Sequence, residues 1–192
     1  MNIKTIALLG AALAVTACET TSSRPYQAST QNVMAAQRVA KAEGIRVQVG
    51  EFAAAEGVKT EPTCRALGAL EVAPGKTPIE YVESAFRDEL FAAGAINAAG
   101  TEIEATVTEL SFNSFGTGKW TVAMNVRSDA MPEGYDVSTQ YEFKTSFSAI
   151  KACQNVVDAF QPTVAELLNQ VVTHPEFPTL AGGQSGTAVA SR

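Results

Sequence analysis

Residues 101–112 read Thr-Glu-Ile-Glu-Ala-Thr-Val-Thr-Glu-Leu-Ser-Phe, and this stretch decides the fold. Thr101, Ile103, Ala105 and Val107 share one side of an extended chain, with Glu102, Glu104, Thr106 and Thr108 on the other. Side chains of a strand alternate between faces, so this is a strand buried on one side only. After Glu109 the apolar parity switches to Leu110 and Phe112. One extra residue does this, which predicts a bulge or bend near Thr108–Leu110. Residues 113–118 (NSFGTG) are a turn. Trp120, Val122, Met124 and Val126 form the apolar face of a second strand, and residues 129–134 (DAMPEG) form a second turn. A third strand follows. Tyr135, Val137, Tyr141, Phe143 and Phe147 are expected to face the core, with Asp136, Ser138, Gln140, Glu142 and Lys144 opposite. Such alternation means a sheet covered on one face, and the cover must be helical.

Working outward, Thr77-Pro78-Ile79-Glu80 is a capping box with proline at the first helical position. Ile79, Val82, Phe86 and Leu90 then recur as one stripe, and Gly94 supplies the stop. Residues 149–173 carry a second stripe of Val156, Phe160, Val164, Leu167, Leu168 and Val171. Pro162 lies inside it, which predicts a kink or two abutting helices. Ahead of the first helix, residues 45–52 (IRVQVGEF) read as a strand. The order is strand, helix, three-strand meander, helix. The expected fold is α+β: a two-layer sandwich with an about four-stranded, mainly antiparallel sheet and two helices on one face.

The ends differ in composition. Residues 19–31 (ETTSSRPYQASTQ) read as a flexible tether of about 20 Å, by coil statistics of roughly 5–6 Å × √n. Residues 32–43 hold helix formers and stop at Gly44, so a short helix fits there. Residues 177–192 are rich in Gly, Ser, Thr and Ala and read as a disordered tail. The single domain is expected over 32–176.

Composition excludes several function classes. The 192 residues include 20 Asp and Glu against 14 Lys and Arg, a net charge of -6. Binding nucleic acid through a basic surface needs clustered cations, so no nucleic-acid partner is expected. One histidine and three cysteines cannot assemble a His-rich or four-cysteine metal site, and no metal or cofactor is expected.

The first residues carry an address. Met1 to Lys4 is a short basic start, residues 5–14 (TIALLGAALA) are an uncharged apolar run, and Val15-Thr16-Ala17-Cys18 follows. This is the layout of a secretory signal, too short to span a bilayer. Val-Thr-Ala-Cys resembles the lipobox of bacterial lipoproteins. That resemblance implies cleavage between Ala17 and Cys18, a diacylglycerol thioether on Cys18 and often an acylated (palmitoyl-type) amine. Two or more chains anchor a protein stably. Glu19 rather than Asp after the cysteine favours the outer membrane over the inner. The mature chain would lose Lys4, become more acidic and depend on its anchor for attachment. The remaining cysteines, Cys64 and Cys153, would then meet an oxidising compartment, and a disulfide is expected. The other reading is two separately buried thiols. The bridge closes roughly 90 residues, worth about 4 kcal/mol in the chain-entropy account.

No catalytic constellation assembles from the residues. Residues 116–120 (GTGKW) are glycine-rich, but they lack phosphate-loop spacing and sit in a hairpin. Ser148-Ala149-Ile150-Lys151 fits SxxK, yet the companion SDN and KTG motifs are absent. His174 reads as a surface residue at a helix end. Glu102 and Glu104 share a polar strand face; paired carboxylates could serve a hydrolase, while a solvated face is the plainer reading.

The lipobox, tether and strand-helix-three-strand-helix order together resemble small envelope lipoproteins, among them the auxiliary lipoproteins of ABC-type transport systems and the lipopolysaccharide-assembly lipoprotein. The resemblance implies a non-enzymatic accessory role at the envelope, binding a protein partner or a lipid-like ligand; the alternatives are an envelope hydrolase using Glu102 and Glu104 and a purely structural envelope lipoprotein. The polar sheet face (Glu102, Glu104, Gln140, Glu142) or a free sheet edge would be the surface used.

Overall fold

The computed structural model describes residues 25–183. The expected signal, the lipobox and the end of the tail lie outside the described residues. The elements are α1 (Thr30–Glu43), β1 (Val47–Ala54), α2 (Pro78–Ala92), β2 (Thr101–Asn113), β3 (Thr117–Ser128), β4 (Met131–Lys144), α3 (Ala149–Thr173) and α4 (Phe177–Leu180). The fold is α+β, as the alternation requires. Its four strands lie in the order β1-β2-β3-β4. β1 runs parallel to β2, and the other pairs are antiparallel. The parallel pair needs a crossover, and α2 provides it.

The bulge falls where the parity switch puts it. The β2–β3 register shifts between Val107 and Glu109, so Thr108 is the extra residue. Both phases therefore bury their apolar members: Ile103, Ala105 and Val107 before it, Leu110 after it. β1 also shifts register, between Val49 and Phe52. There Gly50 leaves room for a neighbour, since a Cβ on it would lie 2.7 Å from Glu102 Oε1.

α2 starts with the full capping box. Thr77 Oγ1 accepts from the Glu80 N–H at 3.2 Å, and Glu80 Oε2 accepts from the Thr77 N–H at 2.7 Å. The Thr77 hydrogen bonds hold the Glu80 carboxyl below its usual pKa. The stripe Ile79, Val82, Phe86 and Leu90 is buried. Gly94, at φ 68°, turns the chain out of the helix.

The choice left open at Pro162 is narrowed, and four expectations are corrected. α3 is one continuous helix through Pro162, which removes the reading as two abutting helices. Proline removes one N–H, but the stripe on either side stays buried, and Thr163 Oγ1 donates to the Ala159 carbonyl at 2.7 Å. α1 begins at Thr30, capped by Ser29, and Tyr26 already packs on the domain, so the tether ends sooner than residue 31. α1 also adds a further helix to the expected two: it lies on α2 and α3, with Ala36 and Ala40 buried. The expected tail begins as structure, because α4 buries Phe177, Leu180 and Ala181. Finally, Phe147 lies beyond β4 and is fully exposed at 108% rather than in the core.

Trp120 sits at the centre of the apolar layer. It is 0% exposed and touches Phe112 and Phe160, each at 4.8 Å between ring centroids. Its indole N–H donates to the Val156 carbonyl of α3 at 2.8 Å, tying sheet to helix. Trp120→Phe should cost about 2–4 kcal/mol of unfolding free energy, from lost volume and a lost buried hydrogen bond. Urea unfolding measures it, and a loss below about 1 kcal/mol would contradict this packing account.

Candidate functional site

β2 and β3 meet in the turn at 114–116, β4 hands over to α3 at 145–148, and the long segment between β1 and α2 passes the same end of the sheet. All three segments converge on Arg65. Its Nε donates to Ser114 Oγ at 3.3 Å and its Nη2 to the Ser114 carbonyl at 2.6 Å. Nη2 also donates to the Ser146 carbonyl at 3.0 Å, and Nη1 to the Phe147 carbonyl at 3.3 Å. The guanidinium lies 4.5 Å from the centre of the Phe115 ring. A planar fork with five donors suits such a junction, because it can bind several carbonyls at fixed angles. Arg65 is the one non-glycine residue with positive φ, 50°, among the described residues. That conformation costs on the order of 1 kcal/mol and is held by the bonds around it.

The neighbouring Cys64 forms the expected disulfide with Cys153 in the first turns of α3, Cα atoms 5.8 Å apart. Arg65 and its neighbour thus fasten the loop to β2–β3, to the β4–α3 junction and to α3 itself. Ser148, the SxxK serine, caps α3 by accepting the Lys151 N–H at 3.4 Å, so its hydroxyl serves the helix end.

This clamp presents large apolar side chains to solvent. Phe147 is 108% exposed, Phe115 66%, Leu67 53% and Ile150 52%. Four of the six large exposed hydrophobics among the described residues are therefore in these loops and at the start of α3. Two hollows, of about 580 and 330 Å³, flank Arg65 and Phe115 on either side. Isolated surface hydrophobics need no explanation; four on one braced tip make it the candidate interaction surface.

The charges at the tip are as selective. Segments 62–70, 113–119 and 144–151 contain Arg65, Lys119, Lys144 and Lys151 and no Asp or Glu. At the opposite pole, segments 95–104 and 128–136 contain Glu102, Glu104, Asp129, Glu133 and Asp136 and no Lys or Arg. An acidic chain thus has a cationic, aromatic end.

The expected sheet-face residues do not form one site. Glu104 lies level with Arg127 across β2–β3, and Arg127 grips its Oε2 from Nε at 3.0 Å and Nη2 at 2.7 Å. Glu102 leans over Gly50. Gln140 and Glu142 pair with Thr121 and Lys119, six or more residues further along β3, about 20 Å away. Glu102 and Glu104 do border a hollow of about 290 Å³ with Arg127 and Asp129. His174 caps the end of α3 and stacks on Tyr135 at 3.9 Å.

A second feature was not legible in the sequence. Glu89 on α2 is 0% exposed. Its Oε1 accepts from the Tyr26 hydroxyl, the Ser29 N–H at 3.1 Å and Asn32 Nδ2 at 2.9 Å, while Oε2 is buried with no partner. Asn32 also donates to the Ala165 carbonyl at 2.7 Å and accepts from Asn169. This knot fastens the N-terminal segment to α2 and α3. Burial raises the Glu89 pKa, against the lowering effect of its donors, and burial and Glu89 together raise that of Tyr26.

No family model and no curated protein matches this chain. Among solved structures it is similar to the crystal structure of a Xanthomonas campestris protein described as family-model DUF330. The likeness has 12% identity and a TM-score of 0.45, and covers 67% of this chain and 84% of that one.

Two outcomes follow from this geometry. The folded protein favours neutral Glu89, so its contribution is greatest below the unfolded carboxylate value of 4.5 and fades as pH rises through the higher folded value. Glu89→Gln should keep the acceptor oxygen, flatten that part of the Tm-against-pH curve and leave Tm at about pH 7 equal or higher. A fall of several degrees at that pH would show that the buried group is an anion. Replacing both Cys64 and Cys153 by Ser should cost about 2–5 kcal/mol in urea unfolding; an unchanged midpoint would contradict the clamp.

Proposed function

We propose that this protein is a lipid-anchored, periplasm-facing envelope lipoprotein acting as a non-enzymatic binding or assembly module. The observation that carries this is the fate of the three cysteines. Cys64 and Cys153 are joined to each other, which suits an oxidising compartment. Cys18 is then the odd one, and it stands at the end of a lipobox-like sequence. Thioether formation gives that leftover thiol a use. Glu19 favours the outer membrane.

The domain is suited to presentation rather than chemistry. Its most elaborated surface is a braced apolar tip, and Glu104, one of the two carboxylates weighed for hydrolysis, is held by Arg127. The sequence resemblance to transport-system auxiliary lipoproteins suggests envelope transport proteins as the partner class.

Cys18→Ser should remove the acyl mass from the N-terminal peptide and leave the chain either unprocessed or released from membranes by a high-salt wash. Cys18→Ser protein whose processing, salt-resistant membrane association and mass match the parent's, apart from the substituted atom, would overturn the reading.

A further inference from the structure

We infer that the Arg65-braced tip is a bilayer-contact surface: Phe115, Phe147, Leu67 and Ile150 enter the interface of an anionic membrane while Lys119, Lys144 and Lys151 meet its headgroups. The apolar side chains are exposed in water, and inserting them removes that area from solvent. Aromatic tips flanked by cations match the boundary between headgroups and acyl chains. The three tip segments carry four cations and no carboxylate in a chain with net charge -6. An anionic surface attracts this end and repels the opposite one, where segments 95–104 and 128–136 hold five carboxylates and only Glu104 among them is paired with an arginine, Arg127. Charge therefore selects which pole faces the lipid.

Chain length agrees, in the part of the argument that rests on the anchor proposed above. Tyr26 is fixed to Glu89 and Tyr81, and Tyr81 packs on Phe160. Phe160 lies eleven residues below the start of α3. At 1.5 Å per residue the root of the tether is about 17 Å from the tip. Cys18 to Tyr26 spans at most about 29 Å when fully extended. The acyl chains can stay in the bilayer while the tip touches it, and the domain cannot travel far from the surface.

The bracing fits the same role. A mobile loop would lose conformational freedom on insertion, whereas Arg65 and the disulfide hold Phe115 and Phe147 outward beforehand.

The test uses the chain from residue 18 with Cys18→Ser, so that no acyl group contributes; every core residue lies between Tyr26 and Ala181. It is titrated with vesicles of phosphatidylglycerol and phosphatidylcholine, and with phosphatidylcholine alone. Binding to the anionic vesicles should weaken about tenfold in Phe147→Ser and again in Phe115→Ser, the ratio for roughly 1.4 kcal/mol of lost apolar transfer each. It should also weaken with added salt and on phosphatidylcholine alone. Phe91→Ser, which alters another exposed phenylalanine (75%) near the far end of α2, should bind like the parent. No binding by the parent chain, or equal binding by the tip variants, overturns the inference. Neither result bears on the anchor, which is read from the acyl mass on Cys18.

Discussion

A sheet with one apolar face must have that face covered, and the rest of this molecule answers to that constraint. Val47, Ile103, Val107, Trp120, Val122, Met124 and Val126 are all but fully excluded from water. Only helices returning over the same side can achieve this. The crossover from β1 to β2 places α2 there, and the return from β4 places α3 beside it. The same route sends the β1–α2 segment, the β2–β3 turn and the β4–α3 junction to one end of the sheet. Meeting there is a consequence of topology; what the sequence adds is an arginine on one segment able to bond the other two, and a cysteine next to it.

Much of this was legible because it rests on local periodicity. The alternation in β2, the parity switch at Thr108 and the capping box at Thr77 each express a local rule, and each reappears in three dimensions. The pairing of Cys64 with Cys153 was expected from the export reading of the first residues rather than from geometry. The misses share a cause. Glu89 reads as one more helix carboxylate until Tyr26, Ser29 and Asn32, some sixty residues away in sequence, close over it. Arg65 looks like a loop cation, since nothing nearby in sequence names its acceptors at Ser114, Ser146 and Phe147. Phe147 continued the alternation of β4 on paper, but the strand ends at Lys144 and the chain turns into α3, leaving the ring outside. Pro162 left open a kink or two abutting helices; tertiary packing of the stripe on both sides keeps α3 a single helix.

The distribution of charge turns the fold into an oriented object. Acidic residues gather at the pole where β3 turns into β4, and the opposite pole has cations among exposed aromatics. The knot around Glu89 matters to that orientation, because it fixes where the N-terminal segment leaves the domain. Under the proposed lipid anchor on Cys18, a tether rooted at Tyr26 would be short and would keep the braced tip within reach of the membrane.

The most direct measurement replaces Phe147 by a photo-reactive benzoylphenylalanine in the full-length protein in cells and identifies by mass what it captures. The account predicts phospholipid adducts, with none when the reactive group stands at Phe91 instead. Adducts exclusively with protein at position 147 would contradict it and reassign the tip to a protein partner.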